Sequence, residues 1–148
     1  MLKLPPPIWT LIYLGLAAAV SWALGWPKVP GLPQPMIGGA LFFIAWILPV
    51  WAFRLFQAEG TEVDPTSPTN RKLVVRGPYR FTRNPMYLGL TLSTVGLAIW
   101  IGGWPFLAVP IAVFLTAEFA HIPFEEAKMR RQFGDAYDRY AERVRRWV

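Results

Sequence analysis

The chain is 148 residues long, enough for one domain, and its 54% hydrophobic and 16% charged content points to a membrane protein rather than a soluble one. It has no cysteine and a single histidine, His121, which excludes disulfides, thiolate metal sites and cysteine nucleophiles and argues against a histidine metal centre. The formal charge of +6 is not laid out as a basic stripe on a soluble module, so it reads as attraction to membrane lipids and not to nucleic acid.

Lys3 and Pro5-Pro6-Pro7 precede an apolar run from Ile8 to Trp26, too long for a signal-peptide core, so a retained span is expected. A hydrocarbon core requires about 20 apolar residues per helix, and Met36–Phe56 supplies a second span after the proline-rich turn from Lys28 to Pro35. Met86 to Phe124 is long enough for two more, divided at Gly102-Gly103-Trp104-Pro105 by the strongest local helix breakers. The expected fold is therefore an all-α integral membrane protein with four transmembrane helices, at about residues 8–26, 36–56, 86–103 and 105–124. A C-terminal amphipathic cytoplasmic helix follows, and residues 1–148 form a single domain.

Charge placement supports that count. With four spans, Lys3, the arginines and lysines from Arg54 to Arg83 and those from Lys128 to Arg146 share one side, and Lys28 stands alone on the other. Such a bias puts both termini and the central loop in the cytoplasm. Three spans would split the basic clusters across the membrane. Trp9, Trp22, Trp26, Trp100 and Trp104 fall near span ends as interface anchors. Gly15 with Ala19, and Gly89 with Ser93, have the small-residue spacing that lets helices approach closely.

The connector from Gln57 to Val75 has no sustained periodicity and reads as an irregular lid or linker. After it, Arg76-Gly77-Pro78-Tyr79-Arg80-Phe81-Thr82-Arg83 leads into Asn84-Pro85, which has the grammar of a helix start: Asn as N-cap, Pro at the first helical position. A helix N-terminus beside Arg83 at headgroup level is a ready anion site. Beyond the last span, Met129, Phe133, Tyr137, Tyr140, Val144 and Trp147 recur at helical spacing among charged residues, the pattern of a surface helix, with a bend expected at Gly134.

Glu118 lies within the last span, on the same helical side as His121 and Glu125 by spacing. An ionisable residue at that depth is a functional candidate, unless it lies shallow enough to reach water or pairs with a central-loop arginine. Pro123 is expected to kink the helix exit and turn Glu125-Glu126 towards Arg83.

Taken in order, Gly77-Pro78-Tyr79, Arg83-Asn84-Pro85-Met86-Tyr87-Leu88-Gly89, a helical hairpin, Glu125-Glu126, Phe133-Gly134-x-x-Tyr137-x-x-Tyr140 and Val144-x-Arg146-Trp147 resemble one family. It is the integral-membrane methyltransferases of the isoprenylcysteine carboxyl methyltransferase and phospholipid N-methyltransferase type. Gly60-Thr61 and its proline-rich sequel look like bacterial members, which implies the bacterial inner membrane. The resemblance is densest from about Gly60 to Trp147.

It implies S-adenosylmethionine as methyl donor, bound on the cytoplasmic side by residues 57–89 and 125–148. Carried over residue by residue, the cofactor site is Tyr79, Arg83, Asn84, Pro85, Met86, Tyr87, Gly89, Glu125 and Glu126. Arg83 and the backbone at Pro85–Tyr87 would receive the methionine carboxylate. Glu125 and Glu126 would meet the amino group or ribose hydroxyls, and Tyr79 and Tyr87 would wall the sulfonium. Asn84 stands where the family has histidine and cannot titrate near neutral pH, so a role that requires an imidazole is not carried over.

The implied acceptor is lipophilic and arrives from the bilayer: an isoprenylcysteine-like carboxylate, a phospholipid amine, or a small lipophilic thiol or acid. An amine acceptor must lose a proton, which makes Glu118 or Glu126 a candidate base beside Arg83. Membrane steroid and sterol reductases share a broadly similar C-terminal pattern and bind a nicotinamide cofactor there, so an NADPH-dependent reductase is an alternative. A non-catalytic membrane scaffold is another.

Overall fold

The computed structural model describes residues 4–61 and 71–148. Lys3 and most of the expected irregular linker, residues 62–70, lie outside the described residues. The described chain is helical, its one β-type pairing an isolated bridge between Lys28 and Gly103.

Helix α1 (Pro6–Ala23) opens with proline in its first turn, where a missing N–H costs nothing. The expected second span is two helices, α2 (Pro35–Ala45) and α3 (Ile47–Glu59), that meet at Trp46. Pro49 explains the division. It has no N–H for the Ala45 carbonyl, so the helical ladder lapses there and resumes with the Val50 amide on the Trp46 carbonyl at 3.1 Å. Helix α4 (Pro85–Ile101) follows a short 3-10 turn, Gly77–Arg80. It ends where expected, at Gly102, whose φ of 67° is the left-handed closure that glycine adopts without strain.

Helix α5 (Trp104–Thr116) does not stop at the expected boundary. It passes through a π-helical turn, Ala117–His121, directly into α6 (Ile122–Phe133), and Gly134 then separates α6 from α7 (Asp135–Arg143). Pro123 has no N–H to offer the Phe119 carbonyl, and the widened turn lies immediately before it. Pro6–Ala23, Pro35–Glu59 and Trp104–Phe133 are long and apolar enough to cross a membrane, and α4 is a shorter apolar helix, which gives three to four candidate spans.

Helix α4 is the centre of the packing, flanked by α2, α3 and α5. Its contact with α2 is backbone on backbone: a methyl group at Gly96 would lie 2.5 Å from the Phe42 nitrogen and 2.8 Å from the Gly38 carbonyl. Gly89 is equally confined, with Pro49 Cδ at 2.3 Å and the Ala45 carbonyl at 2.7 Å from such a methyl. The expected close approach at Gly89 is therefore present, whereas Gly15 has open space around it. A core of Ala17, Ala98, Phe106, Val109 and Val113 joins α1, α4 and α5. At one end, Lys28 Nζ donates to the Ile101 carbonyl at 2.7 Å and pins the α1–α2 turn to the α4–α5 turn. The 3-10 turn, the start of α4 and α7 gather at the opposite end, where the Tyr140 hydroxyl donates to the Tyr79 carbonyl at 2.8 Å.

Candidate active site

The start of α4 is built as expected in position but not in bonding. Asn84 occupies the N-cap and Pro85 the first turn, yet the Asn84 side chain caps nothing. Its Nδ2 instead donates to the Arg146 carbonyl at 2.9 Å. The Thr82 hydroxyl donates to that same carbonyl at 3.1 Å and accepts the Asn84 N–H at 3.1 Å. One residue on, the Arg83 N–H bonds the Arg145 carbonyl at 3.0 Å. The segment after α7 thus takes up the side chain of Asn84, expected at the helix cap and in the cofactor site, along with the Thr82 hydroxyl and the Arg83 N–H.

Arg83 points inward, its side chain 13% exposed, with Nη1 3.2 Å from Glu126 Oε1. That is an ion-pair separation without hydrogen-bond alignment, for Nε and Nη1 are both buried and neither has a hydrogen-bond acceptor. Glu126 is engaged by other arginines. Arg146 meets it with two parallel bonds, Nε to Oε1 at 3.1 Å and Nη2 to Oε2 at 2.8 Å, and Arg130 Nη1 lies 3.9 Å from Oε2.

Its neighbour Glu125 faces elsewhere and accepts the Tyr87 hydroxyl at 2.5 Å. Tyr87 also stacks on His121, with ring centroids 6.1 Å apart. Glu118 does not share a side with Glu125. The π-turn shifts the register, so Glu118 converges with Glu126 on Arg146 and also accepts Trp147 Nε1 at 2.8 Å. The partner of Glu118 is therefore an arginine after α7, not one of the central loop.

Three tyrosines complete this end. Burial pushes the phenols of Tyr79, Tyr137 and Tyr140 above the ordinary tyrosine range, and the Glu125 carboxylate adds to the effect on Tyr79. Arg146 is held above the usual arginine range by its hydrogen bonds to Glu126, against the opposing effect of burial, and then by those to Glu118.

These side chains surround a cavity of about 700 Å³. Its lining combines polar side chains, among them Arg83, Glu125, Lys128 and Tyr137, with apolar ones such as Trp46, Val50, Phe53 and Leu90 and the prolines Pro5–Pro7. Tyr79, Arg83, Asn84, Pro85, Met86, Tyr87, Glu125 and Glu126 all line it. Gly89 is packed against Pro49 instead, and Glu118 faces Arg146 and Trp147 outside the cavity. The sequence reading missed Lys128, a buried lysine on the cavity wall, and the inward roles of Tyr137 and Tyr140. Lys128 lies three residues after Glu125, a helical spacing that was an available signal. In the sequence both tyrosines fall on the apolar stripe of a surface helix.

Residues 33–136 match the family model described as phospholipid methyltransferase. The chain is 37% identical over 76 residues to protein-S-isoprenylcysteine O-methyltransferase B of Arabidopsis thaliana, covering 51% of this chain and 38% of that protein. It is 40% identical over 73 residues to protein-S-isoprenylcysteine O-methyltransferase A of the same plant, covering 49% and 36%. An uncharacterized protein of Haemophilus influenzae is 38% identical over 64 residues, 43% of this chain and 100% of that protein. The chain spans little more than a third of the length of the plant relatives it matches.

Proposed function

This chain belongs to the phospholipid methyltransferase family, and from that membership we propose that it transfers a methyl group from S-adenosylmethionine to a lipophilic acceptor at the membrane face. The observation that carries the reading is the cavity of about 700 Å³, whose lining brings charged side chains, Arg83 and Glu125 among them, together with apolar ones. A zwitterionic cofactor suits the first and a lipid tail the second.

Arg83 supplies the test of fit. Its Nε and Nη1 are buried donors without acceptors on the wall of that cavity, and a ligand carboxylate would satisfy them with charge-assisted hydrogen bonds. Glu125 is placed to meet an ammonium or ribose hydroxyl, and the faces of Tyr79 and Tyr87 suit a sulfonium. Glu126 holds Arg83 and Arg146 in position rather than touching ligand. The bound cofactor would supply an intrinsically electrophilic methyl group. The protein's contribution is to align the two partners and keep water out.

A carboxylate or thiolate acceptor needs no base. For an amine, Glu125 is the better-placed proton acceptor, because both oxygens of Glu126 are held by Arg146 and Glu118 lies outside the cavity. In this reading residues 1–148 act as one domain with α4 as the fourth span. The cavity faces the cytoplasm of a bacterial inner membrane, and the acceptor arrives laterally from the bilayer.

The deciding experiment incubates detergent-purified protein with methyl-labelled S-adenosylmethionine and a total lipid extract, then identifies the labelled product. No label in any lipid, protein or small-molecule fraction would overturn the reading. So would saturable stabilisation by reduced nicotinamide dinucleotide phosphate with none by S-adenosylmethionine.

A further inference from the structure

The segment Val144–Trp147 does not leave the molecule after α7. It runs back across the start of α4 and the α5–α6 rod, held there by two of its carbonyls, the Arg146 guanidinium and the Trp147 indole. The Arg145 carbonyl accepts the Arg83 N–H at 3.0 Å, and the Arg146 carbonyl accepts Thr82 Oγ1 at 3.1 Å and Asn84 Nδ2 at 2.9 Å. The Arg146 guanidinium bonds Glu126 through two nitrogens and Glu118 through the third. Trp147 donates to Glu118 at 2.8 Å, and its ring lies 4.8 Å from that of Phe114. One short strap therefore ties together three separate parts of the chain: residues 82–84, the π-turn and α6.

We propose that this strap is a working part of the candidate site, with Arg146 as a positioning residue that acts on ligand through Glu126 and Arg83. Three features carry the assignment. Arg83 is gripped twice, by its own backbone on the strap and by its guanidinium beside the Glu126 that Arg146 clamps. The strap also pairs with Glu126, whose charge would otherwise compete with a ligand carboxylate for Arg83. Finally, Arg146 touches both glutamates without lining the cavity, so its influence on a ligand is indirect. Bidentate geometry from a planar guanidinium explains why arginine and not lysine occupies this place. The assignment of Arg83 to a ligand carboxylate rests on the function proposed above; the strap's grip on residues 82–84 does not.

The test uses the full chain in detergent and two measurements. The first is hydrogen exchange of the Arg83 and Asn84 amides with no ligand added. Arg146→Ala is expected to speed both at least about tenfold while α5 amides keep their protection, and Arg146→Lys is expected to restore part of the difference. The second compares binding of S-adenosylmethionine with that of the same compound lacking its carboxylate. The wild type is expected to prefer the carboxylate form at least about tenfold and Arg146→Ala to lose that preference, with little change in affinity for the decarboxylated form. A general packing defect would weaken both ligands alike and would overturn the positioning role. Unchanged exchange at Arg83 in Arg146→Ala would overturn the strap itself.

If the wild type binds neither compound, the proposed function fails and the exchange result alone decides for or against the strap. Should Arg146→Ala not fold, Thr82→Val removes one strap bond together with the Asn84 N–H bond to the same hydroxyl. The Arg83 amide, which Thr82 does not bond, is then read, and its exchange about threefold faster or unchanged decides in the same way.

Discussion

The Tyr87 hydroxyl donates to Glu125 Oε1 at 2.5 Å, joining the first turn of α4 to the first turn of α6. Both side chains line the cavity, and Tyr87 is 6% exposed. This bond separates two adjacent glutamates by function: Glu125 is turned to the cavity and Glu126 to the arginines.

Tyr87→Phe removes that donor and leaves a carboxylate in a buried setting with one partner fewer. A charged acceptor deprived of its donor costs about 1–3 kcal/mol. Unfolding in detergent should show a loss of that size, along with weaker binding of S-adenosylmethionine. Stability within error of the wild type would mean that water replaces the phenol.

Gly96→Ala places a methyl 2.5 Å from the Phe42 nitrogen and 2.8 Å from the Gly38 carbonyl, both backbone atoms that cannot rotate away. Helices α2 and α4 must separate, and overpacking of this kind costs about 1–3 kcal/mol or more. Gly15→Ala meets nothing within 4 Å and serves as the control, expected to be neutral or slightly stabilising. Equal melting temperatures for the two variants would contradict the packing described.

The buried phenols give a sign to the pH dependence. Tyr79 and Tyr140 have folded pKa values raised above their unfolded ones, chiefly by burial. The unfolded chain therefore releases these protons near pH 10 while the folded chain retains them. Their contribution is complete below that pH and is lost as pH rises towards the folded values, at up to about 1.4 kcal/mol per pH unit for each tyrosine. Chemical unfolding at a series of pH values above 9 should show this decline. Tyr140→Phe should flatten it, at the expense of the bond to the Tyr79 carbonyl.

Much of this arrangement was legible in the sequence because it depends on local chemistry. The breaks at Gly102–Pro105 and Gly134 follow from residues that end helices wherever they occur. The cavity-lining set from Tyr79 to Tyr87 with Glu125-Glu126 followed from the ordered motifs that resemble the family. What escaped depends on register and long-range pairing. A π-turn adds a residue to one helical turn, so the spacing that put Glu118 beside Glu125 no longer held beyond Ala117. The division of the second span at Trp46 hung on Pro49, which in an apolar run is easily read as a tolerated kink. No spacing rule announces that Asn84 bonds Arg146, for those residues are 62 positions apart. Gly89 had both a site reading and a packing reading, and its surroundings are those of packing.

Glu125→Gln and Glu126→Gln are isosteric changes at neighbouring positions and are expected to fail differently. Glu126 is 5% exposed and is the shared counter-charge of Arg83, Arg130 and Arg146. Its neutralisation strands cations in a confined site. The loss should fall near the lower end of the about 3–5 kcal/mol typical of a broken buried pair, because Arg146 and Arg130 keep 31% and 50% of their side chains in solvent. Glu125 has no arginine partner among the described ion pairs, and a glutamine amide still accepts the Tyr87 hydroxyl. That change should leave melting close to wild type while weakening S-adenosylmethionine binding at least about tenfold, the effect of removing a charge-assisted partner from a ligand cation. The discriminating result is the ratio of the two readouts. Stability loss at 126 and binding loss at 125 match the geometry, whereas the reverse pattern would put the ligand against the arginine cluster and require a different occupant of the cavity.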